Sequence, residues 1–560
     1  MFKKTDPNPQ LDIFTAPSML LGIRASKKYS DPNAWHNQFY SLVTTKIDEE
    51  IFKPLFPEGK KCGRPNAYIR ILVAMSALKE GFGCSDEDLF EKCEFDLLTR
   101  KALGMELLTD VTPSIDTYYL FRRRICEYQE RTDIDLMQLC FEQLAGNQVR
   151  LLKISGKCVR MDSKLIGSNI ARQSRYELIH TTLVKFLKTC TLSDLSPEQE
   201  ERAKEYLKED SSKTVYRSDS DTLQSNLARI GNFIMEMLAV FPATSPAHDL
   251  LLRLFEEQYV VMDGKAVLRD KKEVKADSLQ NPNDPDATYR AKNDQKVQGY
   301  VTNITETVEE GKPNIITSVQ VETAVFADCH FLQEAVENSE RVTDSTIEDL
   351  YADGAYQSPD NREFAKNHNA MQLKTGKMQG GCRWELIPHD EDGLTIREIA
   401  TGNTYEAVKA VTKQGSRKRW RIPWNNKTGW RYFEDKDIKA YQLRKQIESL
   451  PLEEQHKRNN VEAAMFQYSF HTRKGKTRYR GLLKHRMHAY SRCMWMNLRR
   501  MVIFQISTFQ RSIFALFGPI REAFGSFKAI SRKIFTSGAD CYVSLRMTTL
   551  VRQDSKYAPF

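Results

Sequence analysis

Three short stretches of this sequence place a carboxylate where it can do more than close a turn. In Lys157-Cys158-Val159-Arg160-Met161-Asp162-Ser163 the alternation of Val159 and Met161 reads as a strand that delivers Asp162 at its end. An acid at a strand's carboxyl end projects where open α/β sheets keep their ligands. Turns and helix caps use Asp as readily, so one instance says little. A second strand, Asp349-Leu350-Tyr351-Ala352-Asp353-Gly354-Ala355-Tyr356, ends the same way on Asp353. Glu462 then sits inside the helical stretch Arg458 to Phe466. Carboxylates are hard oxygen ligands suited to Mg²⁺, with Mn²⁺ able to substitute. Two strands and a helix can bring three of them onto paired divalent ions, as two-metal phosphoryl transfer requires. That chemistry needs no covalent intermediate, so the lack of a Ser or Tyr nucleophile motif is no obstacle.

Other acids and the histidines read as ordinary. Asp328 lies between a strand and a helix, as a cap or a group that supports ligands. Asp344 and Asp349 suit caps or loops, and His330, His471 and His488 fall in no metal-ligand spacing.

Basic residues gather in three places. Arg122, Arg123 and Arg124 end a helical run. Thr412 to Phe433 holds seven Lys/Arg (Arg417, Lys418 and Arg419 among them), three tryptophans (Trp420, Trp424, Trp430) and no acid. Cations beside aromatics suit phosphates and stacked bases; a solvated hairpin with buried tryptophans has the same composition. From Ala463 to Ile520, a 58-residue window, there is again no Asp or Glu. Arg473, Lys474, Lys476, Arg478, Arg480 and Lys484 lie there, directly after Glu462, which favours phosphate contact over a merely solvated face.

The elements that must position these residues follow from periodicity. Residues 1–33 read as a loose arm and 34–150 as an all-helical domain, broken at Gly63-Arg64-Pro65 and capped at Ser85. Short helices with basic ends suit a DNA-binding module or a plain helical domain. The β-branched runs Val297–Thr305 and Asn314–Glu322 flank a hairpin loop, and a helix, the Asp353 strand, a second helix and a short strand follow. The expected fold is α/β: a mixed-sheet core from 151–164, 281–379 and 450–510, interrupted by a helical insertion at 165–280 and a β-rich insertion at 380–449, with a tail at 511–560.

At 560 residues the chain is long enough for several domains, and 41% hydrophobic content with a net charge of +9 fits a globular protein. Eleven scattered cysteines without a CxxC pair argue against a zinc ribbon and for free thiols in a reducing compartment. No signal peptide opens the sequence, and Met501–Phe517 is too short and polar to span a bilayer. A soluble intracellular protein is expected.

In order and spacing these motifs resemble the DDE transposases of bacterial insertion sequences, which have a ribonuclease H-like core. The resemblance rests on Arg160-Met161-Asp162-Ser163-Lys164, Asp284-Pro285-Asp286-Ala287 with Gly299-Tyr300, Tyr351-Ala352-Asp353-Gly354-Ala355-Tyr356, Arg458-Asn459-Asn460-Val461-Glu462, Arg478-Tyr479-Arg480-Gly481 and Met496-Asn497-Leu498-Arg499-Arg500, with Gly63-Arg64-Pro65 and Phe121-Arg122-Arg123-Arg124 in the helical domain. It runs over most of residues 60–500.

The resemblance implies Asp162, Asp353 and Glu462 as metal-binding triad, and Arg458 as the basic residue one turn before the glutamate. Part of the family has a Lys or Arg seven positions after it; that position is Ser469 here, with Arg473 a candidate one turn on. It further implies Mg²⁺ or Mn²⁺ and no small-molecule cofactor. The partners would be double-stranded DNA (terminal inverted repeats and target), met as a homodimer on paired ends in a bacterial cytoplasm at the nucleoid. A metal-dependent nuclease without strand joining, or a silent DNA-binding descendant, are the competing readings.

Overall fold

The computed structural model describes residues 2, 4, 16–56, 66–241, 245–292, 295–375, 382–389, 393–410, 419–424, 429–449 and 451–523. Part of the stretch read as an arm is helical, α1 (Pro17–Leu20) and α2 (Ile23–Tyr29), ahead of α3 (Trp35–Leu42). The helical domain continues through α4 (Ile69–Phe82), α5 (Asp86–Phe95), α6 (Leu97–Leu103), α7 (Ile115–Thr132) and α8 (Leu136–Leu152). Its ends obey local chemistry. Ser85 forms a capping box with Asp88, and Gly83 closes α4 in the left-handed conformation. The expected break at Gly63-Arg64-Pro65 lies outside the described residues.

β1 (Cys158–Gly167) is the central strand of the main sheet. It runs past Ser163, where the sequence pattern ended it, so Asp162 stands mid-strand and not at a strand end. The polar Ser163 and Lys164 hid the continuation. The helical insertion follows as α9 (Arg175–Leu187), α10 (Pro197–Lys208), α11 (Ser211–Arg217), α12 (Ser220–Val240), α13 (Pro246–Gln258) and the hairpin β2 (Tyr259–Met262) and β3 (Lys265–Leu268). It has its own core, built on residues such as Ile179, Phe186, Phe233 and Leu254.

The chain returns to the main sheet with β4 (Thr288–Lys292), β5 (Gln295–Thr307) and β6 (Ile316–Thr323), then α14 (Leu332–Thr343), β7 (Asp349–Ala352), α15 (Pro359–Asn367) and β8 (Gln372–Thr375). β1 pairs antiparallel with β5 and parallel with β7, β7 pairs parallel with β8, and β4 and β6 share the far edge of β5. The parallel pairs require crossovers, which α14 and α15 supply. Gly299 of β5 faces Gly167 of β1 at φ +158°, and a Cβ there would lie 2.4 Å from the carbonyl oxygen of Ile166. Close approach of two backbones demands glycine at this point.

A separate antiparallel sheet, β9 (Trp384–His389), β10 (Gly393–Glu398), β11 (Thr404–Ala410), β12 (Arg419–Trp424) and β13 (Gly429–Glu434), forms the β-rich insertion, with α16 (Asp435–Glu448) packed on it. α17 (Leu452–Ser469) and α18 (Leu482–Ala523) complete the chain. α18 carries on through Gly518 and Pro519, where the sequence reading began a tail at 511; residues 524–560 lie outside the described residues. Among the described residues no helix is long and apolar enough to cross a membrane.

β1 divides the core by its alternation. Val159, Met161 and Leu165 pack with Leu332, Ala335 and Val336 of α14 and Ala365 of α15. Arg160, Asp162, Lys164 and Ile166 take the opposite face, covered by α17 and α18. α18 also joins the sheet to the N-terminal helices: Trp495 packs among Phe39, Phe82 and Trp35, against Gly81.

Candidate active site

The parallel register fixes two of the three acids relative to each other. Cys158 pairs with Asp349 and Arg160 with Tyr351. The paired ladder ends at Arg160 and Tyr351; Asp162 lies two residues beyond on β1, and Asp353 directly follows β7 with its backbone extended at φ −75° and ψ 161°. The charge of Asp353 acts on the Asp162 carboxyl, so the two acids lie within electrostatic reach of each other. Each anchors one oxygen on the following amide, Ser163 N at 2.8 Å from Asp162 and Gly354 N at 2.6 Å from Asp353.

α17 lies across the same face. The carbonyl of Lys457 accepts from Arg160 Nη1 at 2.8 Å, and Ser469 Oγ accepts from Lys164 Nζ at 2.7 Å. Asp162 is midway between the two strand anchors, and Glu462 is close to midway between the two helix anchors. The Lys457 ammonium stands 5.9 Å from the Tyr351 ring, so the Asp353 side of the sheet faces this helix too. Val461, Met465 and Tyr468 are buried beneath α17 while Glu462 is exposed on its flank.

Electrostatics tie the three together. Burial pushes the Asp162 carboxyl up to about 6, and the negative charges of Asp353 and Glu462 add to the rise. The Ser163 amide and the Lys292 ammonium oppose it. Like charges resist closer approach. Among the described residues no three His, Cys, Asp or Glu side chains are near enough to hold one ion between them. The donor set nevertheless has the chemistry of a hard divalent cation: oxygen only, with one carboxyl lifted by burial and further by its neighbours' charge, a cost that a cation would offset.

The surrounding polar groups brace this face. Glu306, opposite Arg160 on β5, accepts from Arg160 Nε at 2.6 Å and pairs with Arg500 Nη1 at 2.7 Å. Asp328 is buried and pairs with Arg290 at 3.0 Å and Lys292 at 3.4 Å, so it is an ion-pair partner and not a helix cap. Asp284 accepts hydrogen bonds from Ser168 Oγ and, at 2.6 Å, from Tyr300 OH, and Asp286 accepts from Leu482 N at the start of α18. Glu306 carries this geometry without having been singled out by sequence, and Lys164 and Arg500 were named only within longer motifs, with no role of their own. The signal available for Lys164 was its even spacing from Asp162.

The basic residues are distributed differently from expectation. α17 ends at Ser469, so Arg473 is not one helical turn further along it; it lies exposed in the turn that Lys476 closes. Lys474 and Lys484 are exposed. Lys476 donates to Ile170 O at 2.6 Å, Arg478 to Gly83 O and Cys84 O, and Arg480 to Asn169 O at 2.7 Å. These three bridge segments of the protein, which the absence of nearby acids in sequence had concealed. Arg122 is turned inward over the rings of Tyr118 and Tyr479, Arg124 stands over Phe56, and Arg123 is exposed beside Glu127. Trp420, expected on a DNA surface, is 4% exposed in the core of the second sheet, whereas Trp430 is 48% exposed with Arg421 stacked on it. Arg419 stacks on Tyr432 and pairs with Glu434. Arg417, Lys418 and the side chains of Trp424 and Arg458 lie outside the described residues.

Residues 28–124, from the end of α2 into α7, match the family model described as Transposase domain (DUF772). No curated protein and no solved structure matches the chain. The N-terminal helical part is thus similar to a transposase domain, and the match stops before the three acids.

Proposed function

We propose that the protein is a DNA transposase of the DDE type, cutting the ends of a mobile element and joining the freed 3′ ends to target DNA. The observation that carries the reading is that the charges of Asp353 and Glu462 both act on Asp162, beneath a helix held across β1 at Arg160 and Lys164. Two further observations support it. The main sheet, β4-β5-β1-β7-β8 with β6 also paired to β5, is antiparallel on one side of β1 and parallel on the other, which supports the ribonuclease H-like reading. The helical domain is similar to one that transposases carry.

In this reading Asp162, Asp353 and Glu462 hold divalent ions, Mg²⁺ or Mn²⁺. Such ions would activate a water or a 3′-hydroxyl and stabilise the leaving oxygen. The chain's own part is to set the three acids on one rigid face, α17 held at both ends by β1. A protein that must pair two element ends acts on double-stranded DNA as at least a dimer.

The test uses a DNA duplex carrying the genomic sequence that borders the gene, with Mn²⁺. The wild type cuts at a defined end and joins pre-cleaved ends to a plasmid. Asp162→Ala abolishes both while still binding the end. Cleavage without joining would make the protein a nuclease, and full cleavage by Asp162→Ala would remove the assignment.

A further inference from the structure

The cations on the acidic face are not equivalent. Arg160 and Arg500 are both tied to Glu306, and Lys292 to Asp328. Lys164 lies two residues beyond Asp162 on the same face of β1, about 7 Å along the strand. Its ammonium donates to the neutral hydroxyl of Ser469 at 2.7 Å. Among the described residues no carboxylate lies within ion-pairing distance of it.

Ser469 is seven residues after Glu462 on α17, close to two full turns, so it stands on the same side of the helix. The Lys164–Ser469 contact therefore brings a half-buried positive charge to the face of β1 that carries Asp162, two turns along α17 from Glu462. DNA approaching three carboxylates is repelled by them, and the phosphates flanking the cut need a cation of their own. A lysine paired with an acid would have to give up that ion pair to take a phosphate. One resting on a hydroxyl exchanges a neutral partner for a charged one, which favours the phosphate.

We propose that Lys164 binds a DNA backbone phosphate beside the scissile one, with Ser469 holding the ammonium in place until DNA arrives. This rests on the transposase reading and adds to it a positioning residue supplied by the sheet, where Ser469 on the helix carries no charge.

The test measures duplex binding in EDTA over a range of salt, for full-length wild type, Lys164→Met, Lys164→Arg and the exchange Lys164→Ser/Ser469→Lys. Loss of one phosphate contact lowers the slope of log K against log salt by about 0.9, which at about 0.1 M salt is roughly eight-fold in affinity. Lys164→Met is expected to show both changes, Lys164→Arg neither, and the exchange variant to recover the slope. Thermal melting confirms that each variant is folded, and Lys164→Gln replaces Lys164→Met should the latter unfold. An unchanged slope in the folded neutral variant overturns the proposal. Mn²⁺-dependent cleavage by the wild type and its loss in Asp162→Ala are read separately. A wild type that never cuts defeats the triad reading, whereas a cutting wild type with an unaltered Lys164→Met slope defeats only Lys164.

Discussion

Asp162 on β1 and Asp353, directly after β7, each lie two residues beyond the paired Arg160 and Tyr351 of two parallel strands, although 190 residues separate them in sequence. Each would be unremarkable alone. Within electrostatic reach of each other and of Glu462, they make a local excess of negative charge that the fold must tolerate.

The first prediction concerns that tolerance. Between about pH 4 and pH 6 folded Asp162 keeps a proton that the unfolded chain has released, so stability falls as pH rises through this window. Below it the carboxyl is neutral in both states and costs nothing. Asp162→Asn should therefore match the wild type near pH 4 and exceed it at pH 7.5 by up to about 3 kcal/mol. Urea unfolding in EDTA at the two pH values measures this. Millimolar Mn²⁺ should raise the melting temperature of the wild type and leave that of Asp162→Asn nearly unmoved.

The sequence disclosed the acids better than it disclosed their frame. Asp162 and Asp353 stood out because apolar alternation marks strands, but the polar Ser163 and Lys164 hid the second half of β1. The acid-free window after Glu462 suggested a DNA surface. Its partners are carbonyls and distant acids that only folding brings near, such as Cys84 for Arg478 and Glu306 for Arg500. Trp420 and Trp430 are ten residues apart in one basic stretch, yet one is core and the other exposed, because strand alternation and not composition decides which face each takes.

A second prediction follows from Glu306. It is buried between the guanidinium groups of Arg160 and Arg500. Glu306→Ala leaves the buried Arg160 and the half-buried Arg500 without their carboxylate and should cost about 3–5 kcal/mol. Denaturant midpoints of Glu306→Ala and of Arg500→Met report it. A loss below about 1 kcal/mol would mean that the pair is not desolvated as described.

Gly299 gives a third. A methyl group there meets backbone, Ile166 O at 2.4 Å and Ser168 N at 2.6 Å, which cannot rotate away. Gly299→Ala must therefore push β5 from β1 near Gly167, and destabilisation of more than about 2 kcal/mol is expected. Asp162 lies five residues along the same strand, so end cleavage should drop further than thermal stability accounts for. Gly264→Ala is the control, since no atom lies within 4 Å of a Cβ at that turn; there only the positive φ of 73° opposes the change.

The last prediction tests how the N-terminal helices are joined to the core. Glu80 at the end of α4 is buried, and burial alone would raise its carboxyl. The charges of His488 and Lys79 and the Tyr479 hydroxyl instead hold it well below the usual carboxylate range. His488 Nδ1 lies 2.7 Å from Glu80 Oε2, and Arg492 donates to the carbonyls of Glu80 and Gly81 at 2.9 and 3.1 Å. The depressed carboxyl contributes stability above the unfolded value near pH 4.5 that is lost as pH falls through the folded one. Glu80→Gln removes the charge and keeps the shape, so it should weaken the joint between α4 and α18 by a few kcal/mol and flatten the acid side of the stability profile. Limited proteolysis should then cut between residues 150 and 158, where α8 passes into β1, faster than in the wild type, with DNA binding by the separated parts reduced. Unchanged proteolysis and an unchanged acid limb in Glu80→Gln would show that apolar packing around Trp495 alone holds the two parts together.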